Sequence, residues 1–135
     1  MYLYINTTER DLFEIALIGK NGVIRKKKVK SERKHSEKLL ASIQKLLTLS
    51  KTLLQDINGI AVVKGPGSFT SLRIGITTAN ALAYALQIPI FGINSSDVKP
   101  TLRTNLFQKR GTKRVVVPTY GQPPHITSAS SNMGR

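Results

Sequence analysis

The sequence predicts an α/β fold in one small domain, and three observations predict it. Two apolar runs flank Asn21-Gly22, a pair suited to a tight hairpin. At Ser36 the spacing of apolar residues changes from the period of a strand to that of a helix. Further on, the unbroken apolar run Ile60 to Val63 gives way to Gly65-Pro66-Gly67-Ser68, a second helical pattern and another short apolar run. A chain of 135 residues with 40% apolar content has the length of one domain and the composition of a globular protein rather than a disordered one.

In chain order, Tyr2 to Thr7 reads as a first strand and Leu12 to Gly19 as a second, both with apolar residues on both faces, the pattern of a strand buried on two sides. With φ > 0 at Asn21 and Gly22, the second turns directly into a third, from Val23 to about Lys30. That strand carries Arg25-Lys26-Lys27-Lys28, which has two readings. It is either a nucleic-acid patch or an edge strand whose lysines prevent pairing with another chain, and a third hairpin strand is a natural edge. From Ser36 to about Ser50, Leu39, Leu40, Ile43, Leu46 and Leu47 recur at spacings of three and four and form the apolar face of a helix, with Lys38, Ser42 and Lys45 opposite.

Asp56-Ile57-Asn58-Gly59 makes a turn into the strand Ile60 to Val63, and Ser68 is the expected N-cap of a helix from Phe69 to about Leu86. This second helix sorts into three stripes. Leu72, Ile76, Ala79, Ala83 and Leu86 form a core face, and Thr70, Arg73, Thr77, Asn80, Tyr84 and Gln87 a polar one. Ser71, Gly75, Thr78, Leu82 and Ala85 form a third, mostly small, which allows another helix to approach closely, either from the same domain or from a partner. Pro89 to Ile93 is a fifth strand, and Asn94-Ser95-Ser96-Asp97 can cap a further helix.

Charge divides the chain. There are 21 Lys and Arg against 7 Asp and Glu, a formal net charge of +14. All seven acids lie in residues 1–97, whereas residues 98–135 hold seven basic residues and no acid. The expectation is a folded part over 1–97 and a basic, poorly ordered tail over 98–135, in which Arg114-Val-Val-Val-Pro118 alone has strand character. The absence of cysteine excludes disulfides, thiolate zinc sites and cysteine nucleophiles, and His35 and His125 are too far apart in sequence for a helical metal pair. Neither an apolar run of membrane-spanning length nor a signal-peptide pattern at Met1 is present, so a soluble cytoplasmic protein is expected.

Chemistry is sparse. Gly65, Gly67 and Ser68 lie between a strand and a helix start, a place where backbone N–H groups can bind an anion, yet the spacing completes neither the phosphate-loop nor the dinucleotide pattern. A structural turn is the competing reading. Thr7-Thr8, after the first strand, is a second phosphate candidate of the same kind. His35, just before a helix, reads as a capping or packing residue. No acidic pair, metal cluster or nucleophile beside a base stands out, so no catalytic residue, metal or cofactor is expected.

Tyr4-Ile-Asn-Thr-Thr-Glu9, His35-Ser-Glu-Lys-Leu-Leu40, Asp56-Ile57, Gly65-Pro-Gly-Ser-Phe-Thr-Ser-Leu-Arg-Ile-Gly75 and Ile88-Pro-Ile-Phe-Gly-Ile-Asn-Ser-Ser96 together resemble the TsaB (YeaZ) family over residues 1 to 97. The resemblance implies an actin-like, ribonuclease-H-like fold, a five-stranded mixed sheet with flanking helices, lacking the second subdomain with which the family continues. It also implies a non-catalytic role in installing threonylcarbamoyl on adenosine 37 of tRNA, in company with TsaD, which carries the metal and performs the transfer. The contact with TsaD would run through the two helices, placing Leu40, Leu47, Ser71, Gly75, Thr78, Leu82 and Ala85 at the partner surface, with a homodimer expected when TsaD is absent. Bulk at Gly75 or a charge at Leu82 should then break association and spare the fold.

The sequence departs from the family at Asn6, where the family has Asp, at Ser71, where it has Gly, and at Lys64, where it has no lysine. Asn6 cannot act as a carboxylate toward a metal-bound nucleotide. The missing second half leaves two alternatives, a shortened form that keeps the dimerising half or a reading frame lost after about Pro100. Two further functions compete with the scaffold role: a basic RNA-binding module, for which the net charge speaks, and an ATP-using enzyme, for which acids at both phosphate loops are lacking. On either of the first two readings the basic segments should give tRNA a salt-sensitive affinity.

Overall fold

The computed structural model describes residues 1–32, 34–98 and 116–117. Five strands form one sheet in the order β3-β2-β1-β4-β5: β1 Tyr2–Asn6, β2 Leu12–Gly19, β3 Gly22–Lys30, β4 Gly59–Gly65 and β5 Ile90–Asn94. The hairpin connections make β1, β2 and β3 antiparallel, while β4 runs parallel to β1 and β5 parallel to β4. Helix α1, His35–Leu49, links the hairpins to β4, and α2, Phe69–Leu86, crosses from β4 to β5. This is the mixed five-stranded sheet of the actin-like, ribonuclease-H-like expectation.

Alternation along the strands explains the layers. Leu3 and Ile5, Phe13, Ile15 and Leu17, Ile60 and Val62, and Ile90 point to one face, where they meet Leu39, Ile43, Leu46 and Leu47 of α1 and Leu72, Ile76, Ala79 and Ala83 of α2. The residues between them, Tyr4, Ala16, Ile18, Ala61 and Val63, form a second buried cluster on the opposite face, fringed by Tyr2, Val23, Phe91, Ile93 and Val98. Both β1 and β2 are therefore buried on two sides, as their continuous apolar sequence requires.

The hairpin differs from expectation. The two-residue turn is Lys20–Asn21, and of the pair expected at φ > 0 only Gly22 takes it, at φ 123°. Pairing runs Ile18 with Val23 but Leu17 with Arg25, so Ile24 bulges out of register. Beyond that bulge Arg25 and Lys27 share the helix side of the sheet with Leu17 and Ile15, and Lys26 and Lys28 share the other side with Ala16 and Glu14.

The expected further helix after β5 is a single 3₁₀ turn, Ser95–Asp97. Most of the expected basic tail, with His125, lies outside the described residues. Val116 and Val117 belong to no strand; instead the Val116 N–H donates to Asn80 Oδ1 at 2.8 Å and its carbonyl accepts from Asn80 Nδ2 at 2.9 Å, so Val116 is buried against the helix layer.

Candidate functional site

The ends of β1 and β4 and the start of α2 meet at one end of the sheet. Asn6 closes β1, and both ends of its carboxamide are bonded: Oδ1 accepts from the Thr8 N–H at 3.1 Å and the Thr8 hydroxyl at 2.8 Å, while Nδ2 donates to the Tyr4 hydroxyl at 3.1 Å. Tyr4 is buried, which pushes its phenol well above the ordinary tyrosine value; the Asn6 hydrogen bond opposes that shift and the charge of Glu14 adds to it. The group is a neutral structural hydroxyl.

The glycine loop is a turn packed on the β1–β2 connection. Ser68 N–H donates to the Thr8 carbonyl at 2.9 Å, and Gly67 passes so near that a β-carbon there would lie 2.8 Å from Thr8 Cβ. The Ser95 hydroxyl donates to the Pro66 carbonyl at 2.8 Å. Ser68 stands at the N-cap position without a side-chain cap bond. Of the three residues Gly65, Gly67 and Ser68, the Ser68 N–H is thus engaged within the chain. Thr8 is committed to Asn6, whereas Thr7 is fully buried against Gly75 with no hydrogen-bond partner for its hydroxyl among the described residues.

His35 is a packing residue, as the sequence suggests. It is buried, stacks edge-on to Phe13 with ring centroids 5.2 Å apart, and places Nε2 at 2.8 Å from the Glu9 carbonyl. Since a carbonyl only accepts, Nε2 carries a proton, and Nδ1 is hydrogen-bonded to the Ser31 hydroxyl. The imidazole thereby ties α1 to both the β1–β2 and β3–α1 connections. Ser31 as its partner was not legible in the sequence, because only the fold sets the direction of the ring.

The expected partner surface divides. Leu40 is 57% exposed, Ala85 is exposed, and Thr78 and Leu82 are half-buried. Leu47, however, is only 6% exposed, and Ser71 and Gly75 are buried inside the chain. At Gly75 a β-carbon would come 2.8 Å from Thr7 Cγ2 and closer still to Thr7 Oγ1. The expectation that a bulky residue at Gly75 spares the fold is thus corrected: this small residue lets α2 approach its own β1, not a partner.

Of the accessible residues, Leu40 and Leu82 line a cleft of about 490 Å³ between α1, α2 and the turn before β4, together with Ile43, Leu47, Leu53 and Leu54. Leu53 is 60% exposed and Leu54 38%. Neither entered the sequence-based interface, although two adjacent leucines in a polar connection were the available signal. Farther along the same helix pair, Ser36, Phe69, Arg73, Ile74, Thr77 and Thr78 line a second, more polar cleft, with the Arg73 guanidinium 5.8 Å from the centre of the Phe69 ring.

Comparison with known proteins gives a consistent result. The family model described as TsaD, tRNA N6-adenosine threonylcarbamoyltransferase, matches residues 23–108. The tRNA threonylcarbamoyladenosine biosynthesis protein TsaB of Escherichia coli K12 is 39% identical over 84 residues, 62% of this chain and 35% of that protein. A tRNA N6-adenosine threonylcarbamoyltransferase of Geotalea uraniireducens is 45% identical over 64 residues, 47% of this chain and 19% of the other. The solved structure of YeaZ from Pseudomonas aeruginosa superposes with a TM-score of 0.64 at 29% identity, covering 69% of this chain and 43% of that one. The chain thus spans less than half the length of these relatives. Among the described residues no helix is long and apolar enough to cross a membrane, and no group of His, Asp or Glu is placed to hold a metal ion.

Proposed function

The chain belongs to the TsaB (YeaZ) family, and from that premise we propose that it serves tRNA threonylcarbamoyladenosine biosynthesis as a non-catalytic subunit, docking a TsaD-like protein on the outer surface of α1 and α2. The observation that carries this reading is the leucine cleft. Leu40, Leu53, Leu54 and Leu82 put apolar side chains around one concave surface, a feature that marks interaction sites. The non-catalytic part is supported by the engagement of Asn6, Ser68 and His35 in bonds within the chain, which leaves none of them poised toward a substrate. In the absence of the TsaD-like partner the same leucines would cover one another in a homodimer.

Co-expression with the host's TsaD-like protein tests the reading. The two chains should co-elute, and the purified chain alone should neither turn over ATP nor modify tRNA. Failure to co-elute, or ATP turnover that survives removal of contaminants, would overturn it.

A further inference from the structure

The most highly charged element of the fold is its edge. In β3, Arg25, Lys26, Lys27, Lys28 and Lys30 place five cations within six residues on a strand that, among the described residues, has a neighbour, β2, on one side only. On one face stand Lys26 and Lys28, paired in register with Ala16 and Glu14, followed by Lys30 opposite Leu12; on the other stand Arg25 and Lys27. Glu14 offsets part of this charge through Lys26, 3.4 Å away. At the far end Lys38 of α1 reaches across to donate to the Lys30 carbonyl at 3.3 Å, which brings a sixth cation onto the ridge. Glu32 lies just past the strand and Glu37 on the same turn of α1, where Lys34 and Lys38 match them in number.

We propose that this edge binds the phosphate backbone of RNA, an inference that rests on the tRNA-modification role above and adds to it a contact surface separate from the leucine cleft. Protection against strand pairing is served by fewer charges, and a row of like charges repels itself unless a polyanion neutralises it. Side chains on one face of a strand recur every second residue, about 6.8 Å apart, a spacing comparable to that of successive phosphates along a nucleic-acid strand. The run Arg25–Lys30 contains no aromatic side chain to stack on a base, so the contact is independent of sequence.

The test titrates an unmodified tRNA transcript against the full chain over a salt series, for wild type, for Lys28→Gln/Lys30→Gln, and for Lys45→Gln/Lys51→Gln, which removes equal charge from the other end of α1. Each lost phosphate contact flattens the slope of log affinity against log salt by about 0.7 to 0.9. The ridge pair should therefore flatten it by about 1.5 and the control pair should leave it unchanged, while Lys28→Arg/Lys30→Arg retains the wild-type slope. Equal behaviour of ridge and control pairs would overturn the proposal, as would competition by polyglutamate as effective as that by RNA of the same charge. Co-elution with the TsaD-like protein, read on the same variants, keeps the two readings apart: loss of co-elution in wild type refutes the partner, and loss of the ridge effect refutes the RNA contact.

Discussion

The two halves of α2 carry the same stripe of small residues and use it in opposite ways. In the first half Ser71 and Gly75 are buried, with Gly75 pressed on Thr7 at the end of β1. In the second half Thr78 and Leu82 are half-buried, Ala85 is exposed, and Leu82 faces the leucine cleft beside α1. The helical period is continuous, but the neighbour is not. Near its start α2 packs Gly75 on Thr7 at the end of β1, whereas further on Leu82 shares a cleft with Leu40, Ile43 and Leu47 of α1. Small residues on a helix therefore report that something comes close without saying what.

Gly75→Leu is expected to have the largest effect. There is no room for a β-carbon against Thr7, and overpacking of this kind costs about 1 to 3 kcal/mol for modest additions and more for a whole leucine. The variant should lose most of its cooperative urea transition. Gly75→Ala should be milder, and Thr7→Ala, which removes both the hydroxyl and the methyl that block the site, should rescue it with a coupling of about 1 to 3 kcal/mol. An undisturbed fold in Gly75→Leu would mean that the first half of α2 is as free as the second.

The limits of sequence reading follow the same division. The five strands, the two helices and their order were legible, because each rests on local periodicity or on turn residues such as Gly22 and Gly65-Pro66-Gly67. The core face of α2 was legible at Leu72, Ile76, Ala79 and Ala83, all of them buried. The use of Gly75 was not, since it depends on Thr7, which chain periodicity cannot place opposite it. For the same reason Leu47 was assigned to a partner although it packs inside, Ser31 was not seen to hold His35, and the Asn80 bonds to Val116, 36 residues away, were invisible. Local pattern gives faces, while long-range pairing decides what covers each face.

Next in size comes the contrast between Leu40 and Leu47, neighbours across the α1 side of the cleft. Leu40→Glu should change fold stability by no more than about 0.5 kcal/mol, the usual range for an exposed position, yet weaken capture of the TsaD-like protein about tenfold, or roughly 1.4 kcal/mol. Leu47→Ala should do the reverse, with a cost of about 2 to 4 kcal/mol to the fold, as for other buried leucines. Chemical denaturation beside a quantitative pull-down separates the two. Should Leu40→Glu bind as wild type does, the exposed leucines are not the partner surface.

A smaller effect is expected midway along the helix. Asn80 is on the polar stripe, but both ends of its carboxamide are bonded to the Val116 backbone. Asn80→Ala should cost about 1 kcal/mol, a typical net value for such bonds, and the loss should be local. Hydrogen exchange of the Val116 amide should quicken markedly while the amides of β1 and β4 keep their protection. If Val116 exchange is unchanged, packing against the helix layer holds that segment without Asn80.

The smallest effect belongs to the exit of α2. Gln87 closes the helix in the left-handed region, at φ 55° and ψ 45°, and its Nε2 donates to the Tyr84 carbonyl at 2.8 Å. The conformation costs a residue with a β-carbon roughly 1 to 2 kcal/mol. Glycine removes that strain, but it gives up the exposed hydrogen bond and has more freedom to lose on folding. The balance for Gln87→Gly should be a gain of about 0.5 kcal/mol, which for a domain of this size raises the melting temperature by about 2 to 4 °C. Such a gain at Gln87, set against the loss at Gly75, would mean that the second half of α2 is limited by backbone strain and the first by packing. A fall in melting temperature would instead show that the side-chain bond to Tyr84 holds the helix end, so that the second half too is fixed by contacts within the chain.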